Sequence, residues 1–253
     1  MSSRKLSFID TFRGEARKAF VSPLLAYCIL GGLLMAVLSV VSTVQTNKEL
    51  VEQGLPVAKA TTESVKYWFM LLLGSGLFGV MFVTREYSNG AMSRSVLLGG
   101  SRGRLFTAKT LATALAGAGA ALVGLVAIAL TTTVIMPVSG IRAEWSSEAT
   151  QTSAGVFAAV FVTTLFGAAV GWLVRHQGIG IAVFLVMALV VDEGLFRLVP
   201  RVGKFMLQPA LSSLYRDGRA DLLSVPWASF MTALWVIVPT LLGMVVFMRS
   251  DIK

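Results

Sequence analysis

The sequence predicts an all-α membrane protein that forms one transmembrane domain over residues 1–253 and crosses the bilayer six times. Hydrophobic residues make up 55% of the chain, charged residues only 14%, and the mean hydropathy is +0.77. Soluble domains carry roughly 25% charged residues, so this chain has too little charge to cover a surface that faces water. Several apolar runs are long enough for a helix to cross a bilayer, which takes about 20 residues. A helical protein with several membrane spans is therefore the predicted class.

Polar interruptions divide the apolar sequence into six predicted spans. A helix at the membrane interface is expected before them, over residues 3–20, where apolar side chains recur at close to helical spacing beside a basic face. A cleaved signal peptide is rejected, because its apolar core would lie closer to the start and end at a small-residue cleavage site. A polar loop is expected over residues 45–66. The spans are predicted at residues 23–44, 67–84, 105–136, 154–174, 179–198 and 227–248.

Charge predicts which side of the membrane each loop occupies. Six spans place both termini on one side, and that side carries thirteen cations against four anions (Asp10, Glu15, Glu86 and Asp251). The chain has 22 Lys and Arg and 13 Asp and Glu, so the other side carries nine of each. Loops rich in Lys and Arg stay in the cytoplasm, and both termini are therefore expected there. The thirteen cations are Arg4, Lys5, Arg13, Arg17, Lys18, Arg85, Arg94, Arg102, Arg104, Lys109, Arg175, Arg249 and Lys253.

The longest polar interruption, residues 85–109, is called the basic segment below. It carries five cations and one anion, Glu86, between spans two and three. The formal net charge of the chain is +9, but the topology rule accounts for it without a nucleic-acid partner, and no nucleic-acid binding is expected.

No residue pattern for catalysis or metal binding is present in the sequence. There is no G-x-x-x-x-G-K-[ST] loop to hold phosphates. The chain is therefore not expected to be an enzyme or to hydrolyse ATP on its own. One cysteine, Cys28, and one histidine, His176, leave no His/Cys metal cluster and no cofactor site. Ser75 lies between two glycines, but His176 is expected in a turn on another span, so packing is favoured over an intramembrane serine nucleophile.

Two further groups of residues have both a structural and a functional interpretation. Asp192 and Glu193 lie near the outer end of span five; an ion-paired helix end, with Arg197 as partner of Glu193, is favoured over an outer gate. Gly167 and Gly171 in span four form a small-xxx-small pattern for close helix packing. Residues 199–226 are expected to form one or two amphipathic helices on the outer membrane surface, with an irregular loop as the alternative.

The order of residues in the basic segment resembles that of the ABC-2 type permease subunits of bacterial ABC exporters. That family tends to show an acidic residue, Gly-Thr, a Leu-Leu pair, a Pro/Ser-Arg step and a downstream Lys after the second span. The corresponding residues here are Glu86, Gly90, Leu97-Leu98, Ser101-Arg102 and Lys109. Ala91 stands where Thr is usual, and Gly99-Gly100 where a proline often falls. The interfacial helix, six spans and amphipathic outer segment are similar to the family across most of the chain.

The resemblance implies a membrane permease in the bacterial plasma membrane. It implies a pair of permease chains, as a homodimer or with a close homologue, and two copies of a separate ATP-binding subunit that holds ATP and magnesium. Residues 85–104 then form a cytoplasmic coupling region, whose exposed cations are expected to meet an acidic cleft on that subunit. The alternative is that these cations only set topology. The partner-coupling residues are expected to be Arg85, Glu86, Gly90, Arg94, Ser101, Arg102 and Lys109.

Three functions remain after these observations. Export of an amphipathic or lipidic substance, such as a drug or a peptide antibiotic, is the leading hypothesis. A non-transporting membrane scaffold or sensor subunit is the second. An intramembrane enzyme is the third, and the missing catalytic residues make it remote.

Overall fold

The six predicted spans are confirmed in the computed structural model, which describes residues 7–88 and 90–250. These residues form helices and contain no strand. Residues 3–6 of the predicted interfacial helix, and four of the residues counted for topology (Arg4, Lys5, Asp251 and Lys253), lie outside the described ranges. The helices are α1 (Phe8–Val21), α2 (Pro23–Glu52), α3 (Val57–Ser88), α4 (Met92–Gly99), α5 (Arg102–Val138), α6 (Ser147–Val174), α7 (Gln177–Leu198), α8 (Pro200–Gly203), α9 (Leu207–Leu214) and α10 (Val225–Arg249).

Helices α3 and α6 form the centre of the bundle, and their apolar windows are the most buried of the six spans. They approach so closely that a Cβ on Gly167 would lie 2.1 Å from the carbonyl oxygen of Gly76. A Cβ on Gly79 would lie equally close, at 2.1 Å, to the carbonyl oxygen of Thr164. Gly171 follows one turn later and faces Val80. Glycines therefore let the two backbones touch, as small residues do between helices in membranes.

The predicted polar loop over residues 45–66 is wrong. Helix α2 continues to Glu52 and α3 begins at Val57, so only four residues turn the chain, with Gly54 at φ +101°. Buried Asn47 holds the two helices together: its amide nitrogen donates to Ala60 O and to Ser64 Oγ, at 3.0 Å each. Lys and Glu are good helix formers, so the charged residues extend the helices beyond the apolar runs.

Two helices carry a local π turn. Helix α5 has 37 residues and is about 55 Å long at 1.5 Å per residue, well beyond the hydrocarbon thickness of about 30 Å. Its π turn spans Thr131–Ile135, just before Pro137. Trp68 Nε1 donates to Thr131 Oγ1 at 2.8 Å and ties α3 to this turn. The second π turn, Met187–Val191, lies in α7.

The outer segment, residues 199–226, contains the two short helices α8 and α9, in line with the prediction, but the position of α9 differs from the prediction. Helix α9 is largely buried against α6, α7 and α10, whereas a surface helix was expected. A Cβ on Gly155 of α6 would lie 2.1 Å from Leu214 O at the end of α9. The apolar and small side chains of α9 pack on the protein because the glycine on α6 leaves room for its backbone.

Candidate functional site

Helix α4 joins two spans through glycines in the left-handed conformation. Gly90 has φ +62° and Gly100 has φ +77°, values that side chains rarely adopt. Ser101 then caps α5, since its Oγ accepts a hydrogen bond from Arg104 N at 3.3 Å. The eight residues of α4 are therefore a separate short helix with a defined turn at each end.

The two faces of α4 differ in chemistry. Met92, Ser95 and Gly99 recur at helical spacing and are buried against the bundle. Leu97 and Leu98 are 80% and 68% exposed. Arg94 is also exposed, but the surface that α4 presents is mainly apolar. The coupling region was expected to offer cations, and this part of it offers two leucines.

Directly behind α4 lies a largely buried group of four charged side chains, called the four-charge cluster below: Glu15 and Lys18 on α1, Glu86 on α3 and Lys109 on α5. Lys109 Nζ lies 2.6 Å from Glu15 Oε2 and 2.9 Å from Glu86 Oε1. Lys18 Nζ lies 2.6 Å from Glu15 Oε1 and 2.9 Å from the same Glu86 Oε1. Each ammonium therefore joins both carboxylates, and the formal charges sum to zero.

The burial of the cluster shows that Lys109 is not an exposed coupling cation. Its side chain is 0% exposed, and its Nζ lies 4.4 Å from the centre of the Phe82 ring. Glu15 is also buried, and Lys18 is the only member with substantial exposure, 46% of its side chain. Lys109 was predicted to take part in partner coupling, but two carboxylates hold its ammonium group inside the bundle. Removing one partner from a buried pair is costly because it leaves an uncompensated charge.

Lys18 connects the cluster to α4. Its Nζ donates to Ser95 Oγ at 3.2 Å in addition to its two ion pairs. Burial alone lowers the pKa of Lys18, but the hydrogen bonds and charges of Glu15 and Glu86 outweigh this, and its pKa is raised above the usual value. Lys18 is therefore charged throughout the physiological range. Helices α1, α3, α4 and α5 meet at this one set of polar contacts.

Two further predicted coupling residues, Arg102 and Arg85, make structural contacts within the chain. Arg102 Nη1 donates to the carbonyl oxygens of Met248 at 3.0 Å and Ser250 at 2.6 Å, so it caps the end of α10. Arg85 Nη1 donates to Ser22 Oγ at 3.3 Å, between the end of α3 and the start of α2. The predicted residues thus converge on one end of the bundle, called the basic end below.

Asp192 and Glu193 lie at the opposite end and make different contacts. Asp192 Oδ2 accepts a hydrogen bond from Gln208 N at 3.0 Å, in the first turn of α9, while its Oδ1 is buried with no hydrogen-bond partner in the described chain. Glu193 accepts from Arg197 Nε at 2.8 Å, the pairing expected from their spacing, and from Arg219 Nη1 at 2.9 Å. Beside them is a cavity of about 480 Å³ between α3, α7 and α9.

The described residues contain no candidate metal cluster, and the side chains of Ser75 and His176 make other contacts. None of their His, Cys, Asp and Glu side chains form a group of three that could hold a metal ion. Ser75 Oγ donates to the carbonyl oxygens of Leu72 and Val160, at 3.1 Å each, inside the bundle. His176 Nδ1 accepts from Ile179 N at 3.3 Å at the start of α7. Both side chains therefore have structural roles.

Two members of the four-charge cluster, Glu15 and Lys18, were counted for topology in the sequence but not assigned to the site. One feature of the sequence could have indicated these two residues. The sequence predicts four anions against thirteen cations on the cytoplasmic side, so a carboxylate in α1 stands out. Its i, i+3 spacing to Lys18 favours a pair on one helix face. The contact to Lys109, 94 residues away, could not be read from spacing.

Comparison with known proteins agrees with the fold. No curated protein matches the chain. A protein-family model described as "ABC-2 family transporter protein" matches residues 13–191, well over half of the chain, and this range includes the four-charge cluster, α4 and four complete spans. The chain therefore belongs to the ABC-2 family of transporter proteins as a membrane permease component, and this membership implies partnership with an ATP-binding subunit.

Proposed function

We propose that the chain is the permease subunit of an ATP-driven exporter and that α4 is the helix through which the ATP-binding subunit drives it. The four-charge cluster directly behind α4 carries this proposal. Lys18 contacts Ser95 of α4 and both carboxylates of the cluster. A displacement of α4 therefore acts on α1, α3 and α5 together rather than on one helix.

The docking contact on α4 is Leu97 and Leu98. Full burial of a leucine side chain stabilises a contact by about 1.5–3 kcal/mol, and both leucines are largely exposed in this chain. Arg94, exposed on the same helix, supplies charge at the edge of the contact, where it favours orientation over affinity. The partner surface is accordingly an apolar groove with an acidic rim.

The orientation follows from charge. Among the described residues, ten Lys and Arg but only three Asp and Glu belong to the basic end. The basic end, with both termini and α4, is therefore cytoplasmic, in a bacterial plasma membrane. This is the side on which ATP is available.

The assembly consists of two permease chains, identical or closely homologous, and two ATP-binding subunits that hold ATP and magnesium. The transported substance is amphipathic, such as a drug, a peptide antibiotic or a lipid. Broad apolar surfaces on the spans support this, since the windows of α2, α7 and α10 are mostly unburied in the single chain. An outer gate at Asp192 and Glu193 is proposed as the alternative to an ion-paired helix end; it is supported by Glu193, which lines the outer cavity.

The docking contact is tested by co-expression with a candidate ATP-binding subunit, which is sought first in the neighbouring reading frames. Leu97→Asp with Leu98→Asp is expected to lower recovery of that subunit on the permease by about 100-fold, from the loss of two buried leucines. Val138→Asp is the matched control: it is 84% exposed at the opposite end of the bundle and should leave recovery unchanged. Equal recovery for both variants would refute α4 as the docking helix.

A scaffold or sensor subunit is the alternative function, and ATPase measurements separate it from a permease. An exporter in lipid vesicles is expected to raise its ATPase rate when an amphipathic substrate is added. Lys109→Met should abolish this stimulation while the ATP-binding subunit stays bound, because α4 is intact and the cluster is broken. A scaffold would retain the partner and show no stimulation in any variant.

A further inference from the structure

A second cavity, of about 530 Å³, opens at the basic end between α1, the start of α2 and the end of α3. The residues that matter for its chemistry are Gly14, Arg17, Lys18, Leu24, Phe82 and Arg85. It lies beside the four-charge cluster but is distinct from it, since Arg17 and Arg85 take no part in the cluster's ion pairs. Neither the coupling role nor the family assigns it a ligand.

The charges around this cavity are not balanced. Lys18 and Glu86 line it and are already paired with each other at 2.9 Å. Arg17 is exposed and has no carboxylate partner in the described part of the chain. Arg85 contacts Ser22 Oγ and likewise pairs with no described carboxylate. Glu86 is neutralised by Lys18 and Lys109, so the guanidinium groups of Arg17 and Arg85 are left with no carboxylate partner in the described chain. Arginine is suited to bind a phosphate with two parallel hydrogen bonds.

The start of α2 adds to this positive potential. Ser22 caps the helix and lines the cavity, so the positive end of the dipole of a 30-residue helix points toward it. This term is supplementary to the two arginines, and like them it favours an anion.

The other wall of the cavity is apolar and continues along α2. Leu24 and Phe82 contribute to the wall. From Leu24, an exposed row follows the same face of α2 at i+3 and i+4 steps, through Tyr27, Gly31 and Leu34. Nothing lies within 4 Å of the place where a Cβ of Gly31 would stand, so the row has a shallow gap there. A hydrocarbon chain fits along such a row in a membrane.

We propose that this cavity binds the phosphate headgroup of an anionic phospholipid, with an acyl chain lying along α2 over Gly31. Arg17 and Arg85 hold the phosphate, and the apolar wall receives the glycerol backbone and the first methylenes. The two arginines and the adjoining apolar row together favour a lipid over a free phosphate, because a free phosphate would contact only the arginines. The inference requires only that the chain is embedded in a membrane, so it stands or fails independently of the export function.

The test measures lipid binding to the purified full-length chain by native mass spectrometry. Phosphatidylglycerol is expected to bind, while phosphatidylcholine and glycerol phosphate at equal concentration are not. Arg17→Gln with Arg85→Gln should weaken phosphatidylglycerol binding by about 30-fold, since each basic side chain near an anionic lipid contributes about a factor of five. Arg13→Gln with Arg94→Gln removes the same charge from exposed positions outside the cavity and should change binding less than twofold.

A second variant leaves every charge in place. Nothing lies within 4 Å of a Cβ at Gly14, on exposed α1, so Gly14→Leu fills the cavity without a clash and favours the helix. It should lower phosphatidylglycerol binding while the melting temperature does not fall. Equal weakening by the Arg13/Arg94 pair, undiminished binding in Gly14→Leu, or saturation by glycerol phosphate alone would each overturn the lipid site.

Discussion

Replacing Lys109 by methionine is the sharpest test of the four-charge cluster. Methionine keeps much of the length and volume of lysine, so the change removes a charge rather than a large side chain. In the native chain two ammonium groups join two carboxylates. In Lys109→Met, Glu15 and Glu86 share only Lys18, and Glu86 Oε2 already has no hydrogen-bond partner in the described chain.

The magnitude follows from burial. Breaking a buried ion pair by removing one partner costs about 3–5 kcal/mol. Lys18, with 46% of its side chain exposed, still neutralises part of the excess charge, so the lower end, about 3 kcal/mol, is expected. At about 2–4 °C per kcal/mol for a chain of this size, the melting temperature falls by about 6–12 °C.

The assay is thermal unfolding of the purified chain in detergent, with two companions. Glu15→Gln combined with Lys109→Met returns the cluster to zero net charge and should recover most of the lost stability. Lys59→Met, an exposed lysine on α3, should leave the melting temperature unchanged. If the double variant were less stable than Lys109→Met by the full cost of a second broken pair, charge balance would not be what holds the cluster together.

Three further variants test other contacts by the same thermal assay or by amide exchange. In Gly167→Leu, the new Cβ would lie 2.1 Å from a backbone carbonyl of α3, so the variant should fail to fold or melt at a far lower temperature. Gly31→Leu is the control, because Gly31 has open space around it. Equal melting temperatures for the two variants would refute the close α3–α6 contact. Asp192→Ala removes the acceptor for Gln208 N and should lower the free energy of unfolding by about 1 kcal/mol, as the loss of a helix cap does. Asp192→Asn keeps an acceptor and should leave stability nearly unchanged. A large loss of stability in Asp192→Asn would show that the charge itself is needed. Arg102→Met removes the hydrogen bonds to the last carbonyls of α10 and should speed amide exchange in its final turn, and unchanged exchange would show that the cap contributes nothing.

The spans could be predicted because their signal is local. Length and hydropathy place all six, and the two glycines of α6 mark a close contact before any coordinates are known. The ends of the helices could not be placed in the same way. Asn47 lies beyond the first apolar run, and its bonds to Ala60 and Ser64 depend on a turn that hydropathy does not detect.

The site was predicted in part for the same reason. The order of residues in the basic segment places Glu86 and Lys109 in it, because both lie within one stretch of chain. Glu15 joins them only when α1 packs against α5, a contact over 94 residues. The prediction treated cations as exposed, since hydropathy gives a charged residue no means of being buried. A pair of carboxylates in the fold provides that means for Lys109.

The contacts that these cations make after folding explain why a basic end can carry the apolar docking surface proposed on α4. The topology signal depends on how many Lys and Arg lie on each side while the chain is inserted, before tertiary contacts form. After folding, Lys109 is neutralised inside the bundle and Arg102 is bound to carbonyl oxygens of α10. Both cations count toward the predicted orientation and stabilise the fold, but both are already engaged within the chain. Helix α4 presents Leu97 and Leu98 after folding, with exposed Arg94 beside them. In the proposed docking, affinity for the ATP-binding subunit rests on apolar contact. Raising the salt concentration is therefore expected to slow association more than it weakens the complex.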